Sequence, residues 1–179
     1  QVENAATVLA VLEQLELQDF TLSEDQIKRG LATVKWEGRF EIISDDPLLL
    51  VDSAHNSDSA RRLSETIRDY LPGKEITLIF GASEDKDIAG MLKYLVPEVD
   101  QIIFTKSEHP RAAEPNMLIE LTKEYSINCV IENTIEQALQ RAIKTAHSDS
   151  AILVTGSIFV AAAAREVTSK MKVGIKNER

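Results

Sequence analysis

Four short clusters in this 179-residue chain combine residue types that bind or move charge, and each falls where an apolar run meets polar residues. The first is Leu50-Val51-Asp52-Ser53-Ala54-His55-Asn56. An Asp at such a point can accept hydrogen bonds from ribose hydroxyls, or Asp52 or Asn56 can simply cap a following helix. The second is Gly81-Ala82-Ser83-Glu84-Asp85-Lys86-Asp87. Gly81 permits a tight turn and Lys86 offers a mobile cation, while a solvated loop with Asp87 as a helix cap fits the same residues. The third, Val154-Thr155-Gly156-Ser157, leads into a helix whose free N–H groups favour a carboxylate or phosphate. Gly156 also suits a plain strand-to-helix turn. The fourth, Gly38-Arg39-Phe40-Glu41, sets Arg39 beside the start of an apolar stretch, where an isolated Arg is ordinarily a surface charge.

Other chemistries find no footing. There is no Gly-x-x-x-x-Gly-Lys-Ser/Thr loop and no Gly-x-Gly-x-x-Gly. His55, His109 and His147 lack metal-ligand spacing, so no protein metal site is expected. His109-Pro110-Arg111 reads as a loop after a strand, and His147 as a residue compensating a helix dipole. The single Cys129 sits in an apolar stretch and reads as a core thiol rather than a nucleophile, in keeping with a reducing cytoplasm. A net charge of −9 would repel a phosphate backbone, which argues against nucleic acid as a general partner. No apolar run approaches the roughly 20 residues of a membrane helix. The opening Gln1-Val2-Glu3-Asn4 has neither a basic nor an apolar leader region and no initiator Met. The expectation is a chain that starts inside a longer protein.

Elements that position the clusters follow from periodicity. Apolar runs at Leu48–Asp52, Ile76–Phe80, Gln101–Thr105, Cys129–Ile131 and Ile152–Thr155 read as strands. Helical spacing marks Ser57–Tyr70, Ile88–Leu95, Pro115–Tyr125, Ile135–His147 and Ile158–Met171. This alternation predicts an α/β fold, a Rossmann-like, mostly parallel six-stranded sheet with helices on both faces. Right-handed crossovers put all the strand C-terminal ends on one edge, where such sheets bind ligands. The sixth strand is Trp36–Ile43, first in the chain. Its short link through Asp45-Asp46-Pro47 makes it antiparallel to the next. Ahead of it, Asn4–Leu15 reads as a helix, and Ser23-Glu24-Asp25-Gln26 has capping-box spacing for a short helix ending near Gly30. The tail Lys172–Arg179 is expected to fray.

Taken together and in order, several motifs resemble one family. Gly30-Leu31, Trp36-Glu37-Gly38-Arg39-Phe40-Glu41, Asp52-Ser53-Ala54-His55-Asn56, Gly81, Asp85-Lys86-Asp87-Ile88, Pro110-Arg111 and Thr155-Gly156-Ser157 resemble the C-terminal half of folylpolyglutamate/dihydrofolate synthases. These enzymes belong to the Mur-ligase superfamily. Two positions depart from the usual pattern: Ser53, where Gly or another small or apolar residue is common, and Glu37, where Pro is common. Gln1 to Ala6 is similar to the closing helix of the family's central ATPase domain. The resemblance therefore implies that residues 1–18 end a preceding domain and residues 19–179 form the Mur-ligase-type C-terminal domain.

The resemblance also implies a reaction. ATP phosphorylates the terminal carboxylate of a folate, and the amine of L-glutamate displaces phosphate from the acyl phosphate. Asn4 would contact adenine, Arg39 the ATP phosphates and Asp52 the ribose, while His55 would approach the reaction centre. Lys86 and Ser157 would hold the incoming glutamate. The phosphate loop and the ligands for Mg2+ would lie in the missing N-terminal ATPase domain, so this chain alone is expected to be inactive, and the whole enzyme a cytoplasmic monomer. Another Mur-type amino-acid ligase and a standalone nucleotide-binding α/β module remain as alternatives. The Trp-x-Gly-Arg and Asp-Lys-Asp-Ile forms favour the folate branch.

Overall fold

Strands covered on both faces have no polar side to show, so they read as unbroken apolar runs. In the computed structural model, which describes residues 2–177, these runs build one sheet. Its strands are β1 (Glu41–Asp45), β2 (Leu48–Val51), β3 (Glu75–Phe80), β4 (Gln101–Phe104), β5 (Asn128–Ile131) and β6 (Ser150–Thr155). They lie in the order β1-β2-β6-β3-β4-β5. β1 is antiparallel to β2, and every other pairing is parallel. The sequence expectation of a mostly parallel sheet with an antiparallel first strand holds.

Successive side chains on each strand enter two separate cores, as the two-residue period requires. Ala151 and Leu153 of β6, with Leu78 and Phe80 of β3, pack under α3 (Ser57–Tyr70), α4 (Ile88–Leu95) and α5 (Pro115–Glu120). Ile152 and Val154 of β6, with Ile79 of β3, pack under α6 (Ile135–Thr145) and α7 (Ile158–Asn177). α7 runs past the expected Met171. Gln1, Glu178 and Arg179, which include the end of the tail expected to fray, lie outside the described residues.

Chain contacts divide the protein into two compact units, Gln1–Trp36 and Glu37–Arg179. The first holds α1 (Val2–Glu16) and α2 (Glu24–Thr33). Ser23 and Gln26 form the expected capping box, Ser23 Oγ accepting from the Gln26 N–H while the Gln26 side chain accepts from the Ser23 N–H. α2 continues three residues beyond Gly30.

Two local readings change in the structure, and a third gains a contact. Trp36–Ile43 is not one strand: residues 37–40 form a turn and β1 starts at Glu41. Gly38 and Phe40 take φ of 68° and 44°, left-handed values that no strand accommodates. The helix expected over Pro115–Tyr125 ends at Glu120, after which i to i+3 bonds take over. There Thr122 turns its hydroxyl back to the Ile119 carbonyl at 2.8 Å, a local bond that competes with the helical ladder. His147 follows α6 and meets Glu75 at 3.1 Å, so it bridges to the start of β3 in addition to any effect on the helix dipole.

Candidate functional site

Three of the four clusters leave the sheet side by side, because β6 lies between β2 and β3. The chain leaves β2 and β3 for helices on one face and β6 for α7 on the other. Adjacent strands that send their chains to opposite faces open a crevice at their C-terminal ends, where doubly wound sheets bind ligands. Backbone bonds keep these exits in register: the Asp52 N–H donates to the Val154 carbonyl (2.9 Å) and the Gly81 N–H to the Thr155 carbonyl (3.2 Å).

The structure separates the two roles open to Asp52 and Asn56. Asn56 caps α3, its Oδ1 accepting from the Ser59 N–H at 2.8 Å. Asp52 instead joins two loops, Oδ1 accepting from the Ala54 N–H (2.8 Å) and Oδ2 from the Phe40 N–H (2.9 Å). The fourth cluster is thereby fastened to the first. Asp52 is only 9% exposed. Burial raises its carboxyl above the ordinary value of 3.8, against the opposing pull of the two N–H donors and the charges of Arg39 and His55. A carboxylate offers about four acceptor positions, so two stay available after the backbone bonds. Arg39 is half-buried beside this carboxylate.

His55 is half-buried with Nδ1 2.9 Å from the Ser53 carbonyl oxygen. A carbonyl can only accept, so Nδ1 carries the hydrogen and Nε2 keeps a lone pair in the neutral ring. At the end of β6, Ser157 is buried and its Oγ accepts from the Phe159 N–H at 3.1 Å, which caps the first turn of α7 and leaves the hydroxyl hydrogen to be donated. Gly156 makes the turn between them with φ of 106°.

The loop after β3 holds a helix cap and a paired cation. Asp87 caps α4 through the Gly90 N–H at 2.9 Å. Lys86, with its side chain 35% exposed, meets Asp85 Oδ2 at 3.0 Å, and Arg111 reaches the same oxygen at 3.5 Å. These cations hold the Asp85 carboxyl below its ordinary range, chiefly through the Lys86 hydrogen bond. The 106–113 loop is laced to this one by bonds from the Glu84 N–H to the Arg111 carbonyl and from the Ala113 N–H to the Ala82 carbonyl, each 2.9 Å. The His109 ring stacks on Phe159 at 3.9 Å and 17°. Asn4 lies on α1 in the other compact unit and is exposed. Cys129 is half-buried, 3.4 Å from the Thr122 hydroxyl.

A model of the family described as Mur ligase, glutamate ligase domain matches residues 38–158, which takes in the strand ends and loops just described. The chain belongs to this family. The dihydrofolate synthase/folylpolyglutamate synthase of Escherichia coli (strain K12) is 32% identical over 173 residues, covering 97% of this chain and 39% of that protein. Among solved structures, E. coli FolC in complex with DHPP and ADP superposes with a TM-score of 0.85 at 31% identity, covering 94% of this chain and 39% of that one. A bifunctional folylpolyglutamate synthase/dihydrofolate synthase with Mn, AMPPNP and L-glutamate bound gives a TM-score of 0.80 at 33% identity, covering 93% and 39%. The chain spans 20% to 39% of the length of the first curated relatives it matches.

Within this glutamate ligase domain, three features escaped sequence reading. The Asp85–Arg111 contact, the His109–Phe159 stack and the pairing of Arg165 with Glu37 and Glu41 each join residues remote in sequence. Only the Pro110-Arg111 motif carried a local signal. Thr155 ends β6 and Thr105 follows β4, on either side of β3 at the ligand edge, and their buried hydroxyls have no hydrogen-bond partner among the described residues. Burying an unpaired hydroxyl costs about 1–3 kcal/mol. Thr155→Val in the full-length protein is therefore expected to hold or raise the melting temperature. A clear fall would show that the hydroxyl has a partner after all.

Proposed function

We propose that this domain supplies one wall of the active site of an ATP-dependent ligase that joins L-glutamate to a folate through an acyl phosphate. The observation that carries the reading is the coupling of Asp52 to the Arg39 turn. A buried ribose acceptor and a cation suited to phosphate come from one fixed corner of the crevice. Residues 1–18, by similarity, close the preceding ATPase domain, and Asn4 would there contact adenine.

Asp52 would receive the ribose hydroxyls on its unused lone pairs, and Arg39 would face the phosphates. The carboxylate, acyl phosphate and amino acid are all anionic, so bringing them together needs cations and free N–H groups aimed at the meeting point. Lys86 would anchor a glutamate carboxylate, and Ser157 with the start of α7 would hold a second anion. His55 Nε2 would stand at the reaction centre as a hydrogen-bond acceptor. Among the described residues no group of three or more His, Cys, Asp or Glu could hold a metal ion. By similarity to the family, magnesium would belong to the preceding domain, and no step here uses it. No helix among the described residues is long and apolar enough to cross a membrane, and a cytoplasmic monomer is part of the proposal.

The test uses the full-length protein with ATP, a reduced folate and L-glutamate. Extension of the folate by glutamate with matching ADP release supports the reading. Release that depends on a different acceptor or amino acid would move the protein to another Mur-type branch. Lys86→Met then probes the amino-acid site. An exposed Lys86–Asp85 pair contributes roughly 0–1 kcal/mol, so a merely structural Lys86 would be silent. The expected result is a several-fold higher KM for glutamate with ATP and folate affinities little changed. A defect confined to ATP would take Lys86 out of the glutamate site.

A further inference from the structure

The turn that carries Arg39 is held from two sides, and only one of them is the Asp52 corner. Glu37 and Glu41 stand two residues before and two residues after Arg39. Arg165 of α7, 128 residues from Glu37 in sequence, grips both: Nη1 donates to Glu37 Oε2 at 2.8 Å, and Nε faces Glu41 Oε2 at 3.1 Å. The Glu41 contact is an ion pair rather than an aligned hydrogen bond. The same Glu41 Oε2 accepts from the Gly38 N–H at 2.7 Å, and the Gly38 carbonyl accepts from the Ser53 N–H at 2.9 Å. The three-residue excursion Gly38-Arg39-Phe40, with left-handed φ on each side of Arg39, is thus tied at its base by one guanidinium. Left-handed φ at Phe40 carries a strain of about 1–2 kcal/mol that the surrounding bonds must offset.

We propose that Arg165 is a positioning residue for the nucleotide, fixing the direction of Arg39 through Glu37 and Glu41. The inference rests on the reading of Arg39 as a phosphate contact. The planar fork of Arg165 orients both flanking carboxylates, which a flexible ammonium cannot do as well.

Steady-state kinetics of the full-length protein with ATP varied provide the test. Arg165→Gln is expected to raise the ATP KM roughly fivefold, within the coupling that contacting residues show, with the glutamate KM unchanged. Arg165→Lys should recover part of the loss. In a double-mutant cycle, Arg39→Ala with Arg165→Gln should be no worse for ATP than Arg39→Ala alone, because Arg165 acts through Arg39. Glu37→Gln, at an exposed side chain whose loss does not threaten folding, should shift the ATP KM in the same direction and add nothing to Arg165→Gln. A normal ATP KM in both Arg165→Gln and Glu37→Gln, or additive losses in the cycle, overturns the positioning role while leaving Arg39 in place. A silent Arg39→Ala instead overturns the phosphate contact itself, and the positioning role with it.

Discussion

Replacing Asp52 by alanine in the full-length protein is expected to lower both conformational stability and ATP affinity. The carboxylate makes two bonds to backbone N–H groups in different loops, and hydrogen bonds to a charged group contribute about 1.5–3 kcal/mol each. Burial opposes these bonds and is the larger influence on the charged form, since the pKa is raised. A loss of about 2–4 kcal/mol is still expected, because Phe40 and Ala54 would be left with unpaired N–H groups. The pH dependence has a definite sign. A folded pKa above the ordinary 3.8 means that the native state binds the proton more tightly than the unfolded chain. The contribution of Asp52 to stability is therefore largest below 3.8 and declines as pH rises through the folded pKa. Denaturation of wild type and Asp52→Ala across that range should show the gap narrowing with pH. A ribose contact exists before and during the reaction alike, so the ATP KM should rise while kcat changes little. A destabilised variant with a normal ATP KM would leave Asp52 as a loop fastener and remove it from the nucleotide site.

The outcome at Asp52 turns on something the sequence could not contain. Its position at the end of an apolar strand was legible, because β2 is buried on both faces and its run stops where the sheet stops. The expected spans of α3 and α4 coincide with the helices found, since their apolar residues recur along one face and Asn56 and Asp87 stand at the cap positions. The order of strands, and with it the meeting of three clusters at β2, β6 and β3, followed only from the return of the chain through α6. No local pattern encodes that. Residues 36–43 misled for a related reason. Their composition suits a strand, but the N–H groups of Gly38 and Phe40 are taken by the carboxylates of Glu41 and Asp52, and the chain bends into a turn. Glu37 gains its meaning from Arg165 at the other end of the domain.

Gly156→Ala is expected to be among the most damaging single changes at the ligand edge. At φ of 106° an L-residue is strained by about 1–2 kcal/mol whatever surrounds it. Space is missing as well: a Cβ built at Gly156 would lie 2.6 Å from the Gly81 carbonyl oxygen and 2.9 Å from Phe80 Cε2. Both atoms belong to buried residues at the end of β3, so neither can swing aside as an exposed side chain would. Overpacking of this kind costs a further 1–3 kcal/mol or so, for a total of about 2–5 kcal/mol. Gly73 provides the control. It has φ of 74°, but a methyl group added there would meet nothing within 4 Å, so Gly73→Ala should lose only the conformational part. Urea denaturation of the two variants separates strain from collision. If the domain avoids collapse by shifting the start of α7, Ser157 and the free N–H groups of that helix move away from β3, and the loss appears as weakened anion binding instead. A Gly156→Ala protein as stable as Gly73→Ala, with its ATP and glutamate KM values intact, would mean that the close packing of this turn against β3 has no part in either stability or the site.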